Sequence, residues 1–228
     1  MKETSILASD RERLRRLAEK QAAYAASPQN ETILKKWRAQ AEGRRESPTV
    51  RLLFSNFPHE VITPRQQCQG EAARALEADL LSTLVGRELF DDDTPISPTF
   101  DIQWRCRVSP FGLQPRIVPA PGKNPQGYHF DPVIEDLEEE IGKLEGGGFS
   151  VDREATLQYR ALAEEVFGDI LPTRMVMASL TGPMTYPIVA LMGMEAYYCS
   201  MYDCPEAVHR AMDLACTVYE RYYDFLEA

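Results

Sequence analysis

Apolar residues return at helical spacing over most of this 228-residue chain, and a few short unbroken apolar runs interrupt them. Leu14, Leu17 and Ala25 share one helical face, and Ser9 with Glu12 has the spacing of a capping box that would start the helix. Ser27-Pro28 breaks the pattern and restarts it, because proline suits a first helical position; Ile33, Leu34 and Trp37 form the next stripe. The spacing predicts a helical hairpin over residues 1–46 that covers one end of a larger core and carries no chemistry. Past Ser47-Pro48, the run Val50, Leu52, Leu53 and Phe54 reads as a first strand. A helix over 70–89 follows, with Ala73, Leu76, Leu80, Leu81 and Leu84 facing inward, and then a strand over 96–102.

The second half of the chain repeats this alternation. Asp131-Pro132 predicts the start of a helix carrying Val133, Ile134, Leu137, Ile141 and Leu144, which Gly146-Gly147-Gly148 ends as a linker. Asp152 caps a helix built on Leu157, Leu162, Val166 and Phe167. Val176, Met177, Ala178 and Leu180 form a short run that stops at Thr181-Gly182-Pro183, which suits a strand covered on both faces. Asp203 with Glu206 makes a last capping box around Pro205, and Val208, Ala211, Met212, Ala215, Val218, Tyr219, Tyr222 and Leu226 then line one helical face. Strands alternating with helices, with no hairpin signal between them, predict an α/β fold with parallel strands and right-handed crossovers.

In such a fold the chemistry collects where strands end at their carboxyl termini. The residues that fall there are Asn56, His59 and Glu60 after the first strand, Asp101 near the end of the second, and Thr181 and Gly182 after the last. His59 is the candidate for proton transfer, since an unperturbed imidazole titrates at about pH 6.5, with Glu60 to orient it and Asp101 to hold substrate or positive charge. A solvated loop at 55–60 and a tight turn without ligand at 181–183 are the other readings of these residues.

Composition narrows the partners. Net charge is −10, which disfavours nucleic acid or an anionic membrane surface. A hydrophobic content of 44% is ordinary for a globular chain, the N-terminus has no apolar run long enough for a signal core, and no stretch approaches the length of a membrane span, so a cytoplasmic location is expected. Five cysteines at irregular spacing point to free thiols. Cys199, Cys204 and His209 stand five apart, whereas one helical face needs three or four, so no metal site is predicted. Asp91-Asp92-Asp93 reads as a solvated loop. Between 103 and 126 the chain is rich in Pro, Arg and Gly and reads as a long excursion, in which Arg105, Arg107 and Arg116 either meet an anionic ligand or face water. Seven of the 8 methionines follow residue 174, beside many tyrosines, either as core or as a pliable apolar lining for a large planar ligand.

The turn Gly182-Pro183-x-Thr185, followed by Tyr202-Asp203-x-Pro205-Glu206-x-Val208-His209, resembles the uroporphyrinogen decarboxylase superfamily, which includes cobalamin-dependent methyltransferases. The likeness runs from about Val50 onward and covers the front half of a typical member. It implies that residues 47–228 form the first half of a (β/α)8 TIM-type barrel, cut short at the C-terminus. It further implies a homo-oligomer, or association with a complementary half-barrel chain. Phe100-Asp101-Ile102 is a shortened match to the family's catalytic aspartate pattern. The decarboxylase has an arginine-rich loop after its first strand, but this chain has Phe57-Pro58-His59-Glu60, and its nearest arginine is Arg65. At the position of the family's active-site tyrosine stands Val189, with Tyr186 nearby but out of register. These departures place the chain nearer the corrinoid-linked methyltransferases. The resemblance then implies a corrinoid as co-substrate, a small molecule or a corrinoid protein as partner, and zinc only from a missing C-terminal half. Tetrapyrrole decarboxylation and a non-catalytic structural subunit are the alternatives.

Overall fold

The computed structural model describes residues 6–44, 47–53, 58–121, 127–177 and 184–227. Its elements in chain order are α1 (Ala8–Ala25), α2 (Pro28–Ala41), the single turn α3 (Pro58–Val61), α4 (Glu71–Val85), β1 (Phe100–Gln103), β2 (Cys106–Ser109), β3 (Arg116–Pro119), β4 (Tyr128–Asp131), α5 (Leu137–Glu140), β5 (Gly148–Val151), α6 (Arg153–Phe167), β6 (Thr173–Val176), α7 (Thr185–Met192), α8 (Met194–Asp203) and α9 (Pro205–Glu227). The chain folds as two compact units, one of residues 1–104 and 154–177, the other of 105–153 and 178–228.

The first unit is built on the leucine stripe of α4. Leu76, Leu80 and Leu84 are fully buried and meet Leu14, Leu17 and Ala18 of α1. Each such side chain contributes roughly 1.5–3 kcal/mol on removal from water. β1 pairs in parallel with β6, Phe100 opposite Thr173 and Gln103 opposite Val176. Phe100 and Ile102 point inward and Asp101 and Gln103 outward, the alternation of a strand buried on one face. Phe100 meets Phe167 of α6 edge-on at 5.2 Å. Tyr159 of α6 donates to Asp79 of α4 at 2.6 Å, and Arg15 of α1 donates to the Val166 carbonyl at 3.0 Å, one of the acceptors that a helix end leaves open.

The second unit holds two antiparallel pairs. β2 lies against β5, Cys106 opposite Val151, and β3 against β4, Ile117 opposite Phe130. Its core gathers Phe111, Ile134, Leu137 and Leu144 with Ile188 and Leu191 of α7 and Ala211 and Ala215 of α9. The amides of Val133 and Ile134 both donate to the Leu191 carbonyl, at 2.7 and 3.1 Å. Phe149 of β5 packs on Tyr222 and Phe225 of α9, with ring centroids 5.1 and 5.3 Å away.

Several sequence expectations meet a different outcome. Among the described residues the strands form one parallel and two antiparallel pairs, where parallel pairing alone was expected; the pieces Cys106–Ser109 and Arg116–Pro119 are too short and polar to stand out from the Pro- and Gly-rich excursion around them. Among the described residues Val50, Leu52 and Leu53 have no strand partner; Phe54 lies outside them. Instead the amide of Val50 donates to Asp93 at 3.0 Å and that of Leu52 to Asp92 at 2.9 Å. The aspartate run is thus no simple solvated loop: Asp92 is buried and also takes bonds from the Thr94 amide and hydroxyl. α1 begins a residue before Ser9, with Leu7 at its cap and no side-chain cap bond, whereas Ser27 does cap α2, accepting from the Asn30 amide at 3.2 Å. Asp131 ends β4 instead of starting a helix, and Asp136 caps α5 by accepting from Glu139. Among the described residues no helix is long and apolar enough to cross a membrane.

Candidate functional site

Asp101 sits second in β1, on the open face of the parallel pair, directly opposite Arg174 of β6. This register lets the guanidinium reach both carboxylate oxygens, Nε to Oδ1 at 2.9 Å and Nη2 to Oδ2 at 2.6 Å. The Thr99 hydroxyl also donates to Oδ1, at 2.6 Å, and Ser97 lies 2.9 Å from the Thr99 hydroxyl. Partial desolvation pushes the carboxyl upward, but the Arg174 and Thr99 hydrogen bonds outweigh it and hold Asp101 below its ordinary range. Asp101 is therefore a fixed anion paired to a cation, able to orient a polar group and unsuited to carrying a proton at neutral pH.

Glu60 is exposed on α3. His59 belongs to the same turn, and its side chain lies outside the described residues, as do Asn56, Thr181 and Gly182. Asp101 and Glu60 belong to the first unit and Tyr186 to the second.

Around Tyr186 the structure assembles a second group of residues. α7 begins at Thr185, the last residue of the Gly182-Pro183-x-Thr185 sequence, and Tyr186 is its second residue. Its ring lies edge-on to Phe130 of β4 at 6.3 Å, and Phe130 lies edge-on to Tyr128 at 5.3 Å. In the β3–β4 register Ile117 faces Phe130 and Pro119 faces Tyr128, so these four share one side of the ribbon. Ile117, Tyr128 and Tyr186 are each more than half exposed. The result is an open apolar surface of ring edges and faces, the kind of surface that accepts a flat, partly apolar ligand. A hydrogen bond with Tyr128, aided by desolvation, raises the Tyr186 phenol above its ordinary value; it stays protonated at neutral pH and acts as a donor or acceptor rather than a base.

The other side of the ribbon carries Arg116, Val118, His129 and Asp131, with Nε2 of His129 3.3 Å from Asp131 Oδ1. Sequence reasoning passed over this pair. The signal for it was the strict alternation Tyr128-His129-Phe130-Asp131, ring then polar group, which is the period of a strand with two different faces.

A third polar group, buried in the first unit, is accounted for by the fold. Asp10 of α1 accepts from the amides of Gln69 and Gly70 at 3.0–3.1 Å, and Glu77 of α4 accepts from those of Gln67 and Cys68 at 2.8 and 2.9 Å. Together the two carboxylates hold the segment that enters α4. Comparison of the chain with models of protein families, with curated proteins and with solved structures found no match.

Proposed function

We propose that this chain is a corrinoid-linked methyltransferase-type enzyme of the uroporphyrinogen decarboxylase-like superfamily, working in the cytoplasm on a small molecule or a corrinoid protein. The observation that carries the reading is the surface of Tyr128, Phe130 and Tyr186, the last of which follows directly in sequence the motif that bears the resemblance. Edge and face contacts from three rings suit a large planar macrocycle with apolar rims, and the two phenols offer hydrogen bonds to its polar side groups. The corrinoid supplies the methyl group; the chain's own part is to seat the ring and exclude water from one side of it. The half-barrel arrangement belongs to the same proposal, and the parallel pairing of β1 with β6 supports it.

The test is titration of the protein with methylcobalamin, followed by visible absorption and by methyl transfer to an added thiol. Saturable binding is expected, weakened at least about tenfold when Tyr128 and Tyr186 are both changed to Ala, with far-ultraviolet dichroism unchanged. Absence of both corrinoid binding and methyl transfer sinks the reading. Binding without transfer reduces it to a corrinoid-binding subunit.

A further inference from the structure

α8 is a short helix with its apolar residues on the wrong side. Tyr197 and Ser200 face the core of the second unit, yet Met194, Tyr198, Met201 and Tyr202 are 59%, 61%, 51% and 89% exposed. Their spacing of four, three and one places them on a single face of the helix. A tyrosine covered by a partner buries about 150–250 Å², so at these exposures the two tyrosines alone present on the order of 300 Å², already comparable to the largest apolar patch of an ordinary monomer. Scattered surface apolar residues need no explanation, but a continuous stripe over the whole length of a helix does.

Beside this stripe, on one edge only, stand Glu195, Cys199 and Asp203, all exposed. Neither carboxylate has an ion-pair partner among the described residues, and the second unit as a whole is acidic: residues 105–153 and 178–228 hold 8 Lys and Arg against 15 Asp and Glu. We propose that the exposed face of α8 docks a basic amphipathic helix of a partner protein, whose apolar residues at i, i+4 and i+7 pack on Met194, Tyr198, Met201 and Tyr202 while its Lys or Arg residues lie along Glu195 and Asp203.

The stripe selects a helix because its seam has the spacing of ridge-into-groove packing, and the two methionines adapt to a range of apolar shapes. The acidic edge selects the sign of the partner. It also disfavours a second copy of this chain, since an antiparallel twofold pairing along α8 sets the edge bearing Glu195 and Asp203 against the same edge of the other copy. The inference stands on this face alone and does not depend on the corrinoid reading.

The experiment uses the full chain and a synthetic fluorescein-labelled helical peptide with Leu at i, i+4 and i+7 and Lys at the flanking positions. Two further peptides serve as controls, one with the Leu positions scrambled and one with Glu in place of Lys. Fluorescence anisotropy is expected to show saturable binding of the Lys peptide alone, weakened several-fold when salt is raised from about 0.05 to 0.5 M. The pair Tyr198→Ser and Tyr202→Ser, and separately the pair Glu195→Lys and Asp203→Lys, each lower affinity at least about tenfold. All four side chains are exposed, so circular dichroism should confirm an unchanged fold. Three results overturn the proposal: no binding of the Lys peptide, equal binding of either control peptide, or a dimer in sedimentation equilibrium that Tyr202→Ser dissociates, which would make the occupant a second copy.

Discussion

Arg13 of α1 and Glu77 of α4 meet with Nε 2.9 Å from Oε1, where Glu77 is wholly enclosed and Arg13 retains a fifth of its exposure. Desolvation pushes the Glu77 carboxyl up, but the Cys68 amide, Arg13 and the Gln67 amide together hold it below its ordinary value of 4.5. Arg13→Met removes the cation and leaves the buried charge with the Gln67 and Cys68 amides and the Cys68 thiol, none of them charged, a loss of about 3 kcal/mol in urea unfolding. The sign of the pH dependence follows from the depressed value. As pH falls, the unfolded chain takes up the proton first, so the contribution of Glu77 is complete above about pH 4.5 and is lost as pH drops through the lower folded value. Stability measured from pH 6 down to about pH 3 should fall less steeply in Glu77→Gln than in the parent chain; parallel curves would contradict this account.

Cys68 lies beside that same carboxylate. Burial, then the charge and hydrogen bond of Glu77, push its thiol up to about 12, so it has almost no thiolate at neutral pH. Cys199 and Cys216 are exposed. Iodoacetamide at pH 8 followed by peptide mapping is expected to label Cys199 and Cys216 and to reach Cys68 only after denaturation.

Asp101 and Arg174 form a bidentate pair at the surface, with side chains 32% and 58% exposed. Solvent screening limits what such a pair adds to folding, so Arg174→Ala should cost under about 1 kcal/mol. If Asp101 orients substrate or positive charge, Asp101→Asn lowers kcat/KM for methyl transfer while thermal unfolding stays within a few degrees of the parent. Equal activity in Asp101→Asn would confine the residue to its pairing with Arg174.

The second unit depends on a close backbone approach at Gly112. Its φ of +71° is left-handed, and a Cβ there would stand 2.2 Å from the Gly146 carbonyl oxygen. Gly112→Ala should therefore destabilise by more than about 2 kcal/mol, as strain and clash act together. Gly142 has open space around it, and Gly142→Ala should be neutral or slightly stabilising. Denaturant melts of the two variants side by side check the contrast.

Amphipathic periodicity by itself determined α1, α2, α4, α6 and α9, because a helix writes its buried face into the chain every three or four residues and needs no distant partner to do so. The buried stripes Leu76, Leu80 and Leu84 of α4 and Val208, Ala211 and Ala215 of α9 follow the reading of the sequence residue by residue. Ser27-Pro28 likewise set the start of α2 through local hydrogen bonding alone. What only the tertiary structure decided was everything that joins distant residues. The choice of β6 as the partner of β1, of β3 as the partner of β4, and of 50–52 as the partner of Asp92 and Asp93 is not written locally: alternation such as Tyr128 to Asp131 marks a strand, but not which distant segment takes its hydrogen bonds. The same holds for the tyrosines and methionines near the end of the chain. Tyr197 is buried and Tyr198 exposed although they are adjacent, because α8 turns one side to the core and leaves the other to solvent, and no composition distinguishes the two.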